Sequence, residues 1–253
     1  MALHPETSLN SIRNSEIGPR QAAVGQLFLR ELERLWTDLL RVAAVVENAL
    51  SHSVDIILDQ RSELTNDVID DERQIDRWEV RIEEKCLTIL ALHQPVASDL
   101  RRVAAVLKLN SLMERLSDLA SHIAIRARKL NNADIAPDLP PEFEILARCS
   151  LEMLSESLDA LAKGDSTKAR NLLSGSRYAT IERQRNLVRR KMKAAIRADI
   201  DSFDTALRLI NIARNFKRVA EHSLDIAVET VYLMEGVILR HQAQHGSKDD
   251  DVD

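Results

Sequence analysis

One stretch decides the fold: "LMERLSDLASHIAIRA", from Leu112 to Ala127. Within it Glu114, Asp118 and His122 recur every fourth residue, and apolar or small residues occupy most of the positions between them. Side chains four residues apart share one face of an α-helix. The stretch therefore predicts a buried helix that carries a polar stripe.

A second stretch, "NFKRVAEHSLDIAVET" from Asn215 to Thr230, repeats this pattern at a fixed offset of 103 residues. It places Lys217 at the position of Glu114 and an acid at the position of Asp118. Apolar residues align in pairs, namely Leu107 with Ile210, Leu109 with Ile212, Met113 with Phe216 and Leu116 with Val219. This agreement predicts an internal duplication of a three-helix unit.

The helices are predicted from the long intervals between the six Gly and six Pro residues of the 253-residue chain. We expect helices over about 29–57, 67–91, 98–130, 143–162, 166–197 (with a weak point at "SGS", 174–176) and 201–240. A seam of apolar residues, spaced three and four apart along the first helix, begins at Leu29. Ser98 is the expected N-cap of the third helix. The fold class is all-α, with two tandem three-helix bundles at 21–130 and 142–240. A flexible N-terminal segment (1–20), a linker (131–141) and a disordered acidic tail (241–253) complete the chain.

Composition excludes several classes of protein. A net charge of −5 argues against a nucleic-acid binder. No apolar run approaches the roughly 20 residues that span a bilayer, and the N-terminus lacks the apolar core of a signal peptide. Two cysteines without C-x-x-C spacing indicate a reducing cytoplasm, and no Gly-rich phosphate loop or G-x-S-x-G motif supports catalysis.

The polar stripe has a partner on the second predicted helix, where Glu72 and Asp76 have the same spacing. Two antiparallel helices that each offer two carboxylates can form an oxygen-rich cage of the kind that iron, manganese or magnesium prefers. A solvated charged face explains the same residues equally well. A ferritin-like di-iron site is disfavoured, because no His has a Glu three residues before it.

The region "DERQIDRWEVRIEEKCLTILALHQPVASDLRRVAAVLKLNSLMERLSDLASHI", Asp71 to Ile123, resembles the PhoU family of regulators of bacterial phosphate uptake. The matching marks are acid-x-x-Ile-Asp, Gln-Pro-x-Ala-Ser-Asp-Leu-Arg and Glu-Arg-x-x-Asp. The resemblance implies two three-helix bundles, a homodimer, and metal bound at E(D)-x-x-x-D motifs, with iron, zinc or manganese as the ion. It places that metal on Glu72, Asp76, Glu114, Asp118 and His122, with Asp71, Glu221 and Asp225 as weaker candidates.

The resemblance also implies a function. The chain would be a cytoplasmic negative regulator of phosphate uptake and phosphate-starvation signalling, and a metal-binding adaptor without enzymatic activity. Its partners would be the ATPase subunit of the phosphate ABC transporter and a sensor histidine kinase. The alternatives are a metal-dependent helical-bundle enzyme and a metal-free helical scaffold for another anion transporter.

The second unit departs from the family pattern. The sequence alignment puts Ile181 and Arg185 where acids belong, and Lys217 replaces the first acid of its last helix. We therefore expect metal in the first unit, and ion pairs that satisfy Glu221 and Asp225 in the second. The segment from Arg177 to Lys193 carries seven basic residues and one acid, which predicts a face for an acidic partner or a merely solvated surface.

Overall fold

The computed structural model describes residues 19–132 and 139–239, which form α-helices joined by short turns. Seven α-helices lie in these ranges: α1 (Pro19–Leu58), α2 (Thr65–His93), α3 (Ala97–Asn131), α4 (Pro141–Lys163), α5 (Ser166–Leu172), α6 (Ser176–Ala198) and α7 (Phe203–Glu235). The all-α prediction is confirmed. The expected flexible N-terminus, the centre of the linker and the acidic tail lie outside the described residues.

The turn between α2 and α3 differs from the prediction. Ser98 is inside α3 rather than at its N-cap, and Val96 holds the N-cap position without a capping side chain. The Val96 carbonyl accepts the Asp99 N–H at 3.1 Å, so the first helical turn already begins at Ala97.

The helix predicted over 166–197 is divided into α5 and α6. Gly175 separates them with φ +84°, a left-handed conformation that a residue without a Cβ adopts at no steric cost. The short α5 packs against α4 and α7. The second unit is therefore a bundle of α4, α6 and α7, with the short helix α5 inserted between α4 and α6.

The buried faces of the two units correspond helix by helix. In α1 and α4, Leu39, Ala43, Leu50 and Ile57 match Phe143, Ala147, Leu154 and Leu161. In α2 and α6, Ile75, Ile82 and Cys86 match Ile181, Val188 and Met192. In α3 and α7, Met113, Leu116 and Ile123 match Phe216, Val219 and Ile226. Each helix pair keeps one constant offset, so the predicted duplication is confirmed, including the expectation that Met113 and Phe216 face their own cores.

The seam of α1 is confirmed except at its start. Leu29 is 54% exposed, whereas Leu32 and Leu35 are buried and Phe28 packs on the core. The Phe28 ring lies 5.1 Å from that of His93 at the end of α2. The apolar seam of α1 therefore includes Phe28 rather than Leu29.

The two bundles pack side by side through α3 and α7, with further contacts between α1 and α4. The C-terminal part of α3 lies beside the N-terminal part of α7, so the two helices are antiparallel. At the other end of the same contact, Lys108 Nζ lies 3.0 Å from a carboxylate oxygen of Glu229. In the described ranges, every helix is too short or too polar to cross a membrane.

Candidate metal centre

Four carboxylates gather where α2 packs against α3. We name Asp76, Glu79, Glu114 and Asp118 the acidic cluster. Asn110, one turn before Glu114 on α3, donates from Nδ2 to the backbone carbonyl of Glu79 at 2.9 Å. This bond joins the two helices at a register in which the four carboxylates lie near enough to affect one another's pKa.

The electrostatics of the acidic cluster are those of unrelieved repulsion. Partial burial raises the pKa of Glu114, and the charges of Asp118, Glu79 and Asp76 raise it further, against a smaller opposing effect of Arg115. Burial also raises the pKa of Glu79, together with the charges of Glu83, Asp76 and Asp118. Within the two described ranges, none of the four carboxylates forms an ion pair.

Glu72 lies one helical turn before Asp76 on α2 and is half-buried. Its neighbour Asp71 has a pKa raised by burial and by nearby acids, while His52 on α1 lowers it. The Nδ1 atom of His52 is buried without a hydrogen-bond partner. A third helix therefore contributes a polar group near the acids of α2.

Sequence reasoning missed Glu79 and His52. Glu79 follows Asp76 by three residues, so helical spacing could have identified it. No local pattern marks His52, because its position beside Asp71 depends on how α1 packs against α2.

The donor chemistry fits a hard cation, because carboxylate oxygens are the ligands that such ions prefer. Among the residues that the structure describes, no three His, Cys, Asp or Glu side chains converge closely enough to hold an ion. The ligand set therefore stays a prediction. His122 is exposed and lines a cleft beside α7, one turn beyond Asp118.

The corresponding place in the second unit is filled by its own partners. Lys217 Nζ lies 3.0 Å from Glu221 Oε1 and 4.0 Å from Glu182 Oε1. Tyr178 donates its hydroxyl to Glu221 at 3.0 Å, and burial together with the Glu221 charge raises the pKa of this phenol. We name Tyr178, Glu182, Lys217 and Glu221 the paired cluster.

The structure corrects the sequence alignment of this region. Ile181 is fully buried and matches Ile75, so it does not stand where an acid belongs. With the buried faces aligned, the equivalents of Glu72, Asp76 and Glu79 are Tyr178, Glu182 and Arg185. The sequence alignment of α6 with α2 was therefore shifted by about one helical turn. Periodicity alone does not reveal such a shift, because apolar and polar residues both recur at about one turn.

The expected ion pairs of the second unit form in part. Lys217 pairs with Glu221, as predicted. Asp225 instead lies 3.2 Å from Nδ1 of His222, and Arg185 donates to Asn186 at 3.0 Å.

The positions of His52 and Asp71 are also replaced by opposite charges in the second unit. Glu156 and Arg177 occupy them and approach to 2.6 Å. Most of the charged site positions of the first unit thus correspond to ion-paired or neutral residues in the second, and Arg185, at the position of Glu79, donates to a neutral amide.

A family model described as the PhoU domain matches the chain twice, over residues 39–127 and 143–230. The chain belongs to the PhoU family. The two matches coincide with the two bundles, and each ends within the last helix of its bundle.

Relatives within the PhoU family match along most of their length. The phosphate-specific transport system accessory protein PhoU homolog of Pseudomonas aeruginosa is 32% identical over 219 residues, covering 86% of this chain and 89% of that protein. The accessory protein PhoU of Escherichia coli is 28% identical over 214 residues, covering 85% and 88%.

Solved PhoU structures show the same architecture. The crystal structure of PhoU from Pseudomonas aeruginosa superposes with a TM-score of 0.78 at 30% identity, covering 83% of this chain and all of that one. The phosphate transport system regulatory protein PhoU of Streptococcus pneumoniae gives 0.73 at 23% identity and supports the fold alone.

Proposed function

We propose that this chain is a cytoplasmic negative regulator of phosphate uptake and of phosphate-starvation signalling. It acts by binding rather than by catalysis, as an adaptor between the ATPase subunit of a phosphate ABC transporter and a sensor histidine kinase. Membership of the PhoU family supports this proposal, since its relatives are named accessory proteins of the phosphate-specific transport system.

A metal ion is part of the proposal, and the contrast between the two clusters carries it. Among the described residues the acidic cluster forms no ion pair and Arg115 offsets its repulsion only in part, whereas the paired cluster holds Lys217 beside Glu221. Glu72, Asp76, Glu114 and Asp118, with Glu79, would hold iron, zinc or manganese once their side chains turn toward one another. The ion would supply the positive charge that the first unit lacks.

The metal proposal is tested by two matched double variants. Bound metal and melting temperature are measured for Glu114→Ala with Asp118→Ala, and for Glu221→Ala with Asp225→Ala, after iron, manganese or zinc is supplied. We expect metal loss in the first variant only. Equal loss from both would contradict the one-sided site.

A metal-free scaffold is the second candidate, favoured by the absence of three convergent ligands among the described residues. Wild-type protein that takes up none of the three metals would establish it. The regulatory role is tested separately, by asking whether the chain represses a phosphate-responsive reporter in a bacterium whose own PhoU protein has been deleted. A reporter that stays derepressed would contradict that role.

The partner face that we propose is on α6. Arg189 is half-buried and Arg190 exposed, and within the described part of the chain neither forms an ion pair. Reversal of both residues to Glu should weaken binding to the transporter ATPase or to the kinase, most strongly at low salt. Unchanged binding would leave this surface merely solvated. The homodimer is tested by sedimentation of the wild-type chain.

A further inference from the structure

A cleft of about 390 Å³ opens where the end of α3 meets the start of α7. Both bundles contribute to it. Its lining residues are His122, Ile125, Arg126 and Lys129 of α3, with Asp204, Leu207, Arg208 and Asn211 of α7. No residue of α2 is among those that line the cleft.

The opposite end of the same helix contact holds an ion pair. There Lys108 Nζ lies 3.0 Å from both carboxylate oxygens of Glu229, whose side chain is only 12% exposed. The same ammonium lies 4.7 Å from the centre of the Tyr232 ring. One cation from α3 and two groups from α7 thus fill this junction.

The duplication makes the two ends of the contact directly comparable. By the offset that aligns α3 with α7, Arg126 stands where the second unit has Glu229, and Asn211 stands where the first unit has Lys108. The ion pair of one end is therefore replaced at the other by a guanidinium and a neutral amide. The cleft lies at the end where this pair is replaced.

The charge of the cleft is positive and lacks compensation within the described residues. Arg126, Lys129 and Arg208 face one carboxylate, that of Asp204. Within 19–132 and 139–239, the one hydrogen bond of the Arg126 side chain goes to the His122 carbonyl of its own helix, at 3.0 Å. The N-terminal turn of α7 adds a further partial positive charge at the same place.

We propose that this cleft binds a phosphate oxyanion, either free or carried by a small molecule, between Arg126 and Arg208. Guanidinium groups bind phosphate oxygens through paired hydrogen bonds, and here two arginines from different helices line one cleft. The volume is at the lower end of the roughly 300–1,000 Å³ typical of small-molecule sites. Ile125 and Leu207 supply apolar surface for an organic portion. Of the predicted metal ligands, His122 alone lines this cleft, and the proposal does not rest on the regulatory role.

The test is isothermal titration of the full-length, chelator-treated chain with inorganic phosphate, pyrophosphate and ATP. Arg126→Ala with Arg208→Ala should weaken binding by at least about tenfold, since each change removes a charge-assisted hydrogen bond. The control variant, Arg197→Ala with Arg214→Ala, removes the same charge from exposed positions outside the cleft and should stay within about twofold of wild type.

Melting curves of the variants show whether a loss of binding comes from misfolding. Without ligand, the cleft variant should melt at or above the wild-type temperature, because it loses mutual repulsion between cations. Tightest binding of inorganic phosphate would identify the free ion as the ligand, and tightest binding of ATP a phosphorylated small molecule. Failure of all three to bind the wild type, or equal loss in the control variant, would overturn the proposal.

Discussion

Neutralising one carboxylate should have opposite effects in the two bundles. Glu114→Gln keeps the shape of the side chain and removes a charge that lies near three other acids, Asp118, Glu79 and Asp76. Glu221→Gln makes the same change where the carboxylate accepts from Lys217 and Tyr178. The first substitution removes repulsion, and the second removes attraction.

The magnitudes follow from these neighbours. Each like-charge pair costs about 0.2–0.5 kcal/mol on a helical surface, and Arg115 offsets about one of the three that involve Glu114. Glu114→Gln should therefore stabilise metal-free protein by about 0.5–1 kcal/mol, or roughly 1–4 °C in melting temperature for a chain of this size. Glu221→Gln should cost about 1 kcal/mol, because its side chain is 40% exposed and the lost hydrogen bonds are partly screened.

The pH dependence separates repulsion from any packing effect. The pKa of Glu114 is raised in the folded chain, so this carboxyl binds a proton more readily when folded than when unfolded. The destabilisation of the folded chain by the Glu114 charge is absent below the ordinary glutamate pKa. It grows as pH rises through the raised pKa of the folded chain, and it is complete at neutral pH. The advantage of Glu114→Gln should accordingly vanish near pH 4 and shrink in high salt.

The assay is thermal unfolding followed by circular dichroism, on chelator-treated protein at low ionic strength and pH 7. With metal supplied, the order should reverse for Glu114→Gln, because the wild type then gains stability from the ion that the variant binds less well. If Glu114→Gln and Glu221→Gln lower the melting temperature equally in metal-free protein, the reasoning about the acidic cluster is refuted.

Three further substitutions or modifications test the packing. Lys108→Met should destabilise the chain by about 2 kcal/mol, measured by urea unfolding, because it strands the buried Glu229 carboxylate; a loss below about 0.5 kcal/mol would show that the inter-bundle pair is dispensable. Phe216→Ala should cost about 3–5 kcal/mol by the same measurement, and a loss near 1 would mean that the second core is loosely packed. Burial raises the pKa of Cys86 to about 12, so iodoacetamide should label it at least about tenfold more slowly than the half-buried Cys149; equal rates would indicate opening of the first bundle.

Much of the fold could be predicted because the buried positions repeat. Met113 and Phe216 are apolar residues in equivalent cores, and their spacing from neighbouring apolar residues is visible in the sequence. The break between α5 and α6 was only a weak point in the pattern. Gly175 is the N-cap of α6 in a left-handed conformation, and a glycine in the sequence permits such a conformation without requiring it.

The sequence predicted which site residues share a face of one helix, but not which residues of different helices lie close together. Glu114 with Asp118, and Glu72 with Asp76, share a helical face by spacing alone. Whether Asp76 and Glu79 of α2 lie near Glu114 of α3 depends on the register of the two helices, at which the Asn110 side chain donates a hydrogen bond to the Glu79 carbonyl. Ile181 was misplaced for a separate reason: an alignment of α6 with α2 that is shifted by about one helical turn preserves the apolar pattern.

The antiparallel contact between α3 and α7 has a consequence for the order of events during synthesis. The first bundle is complete in sequence when Asn131 has been added, but the face of α3 that packs on α7 has no cover until Glu235 has been added about 100 residues later. At about 5–20 residues per second, that face waits roughly 5–20 s on the ribosome. During this interval the nascent chain offers a docking face that an α7 helix from another copy fits as well as its own. When several copies are translated close together, α7 of one chain can therefore pack on α3 of another chain in competition with packing on its own α3.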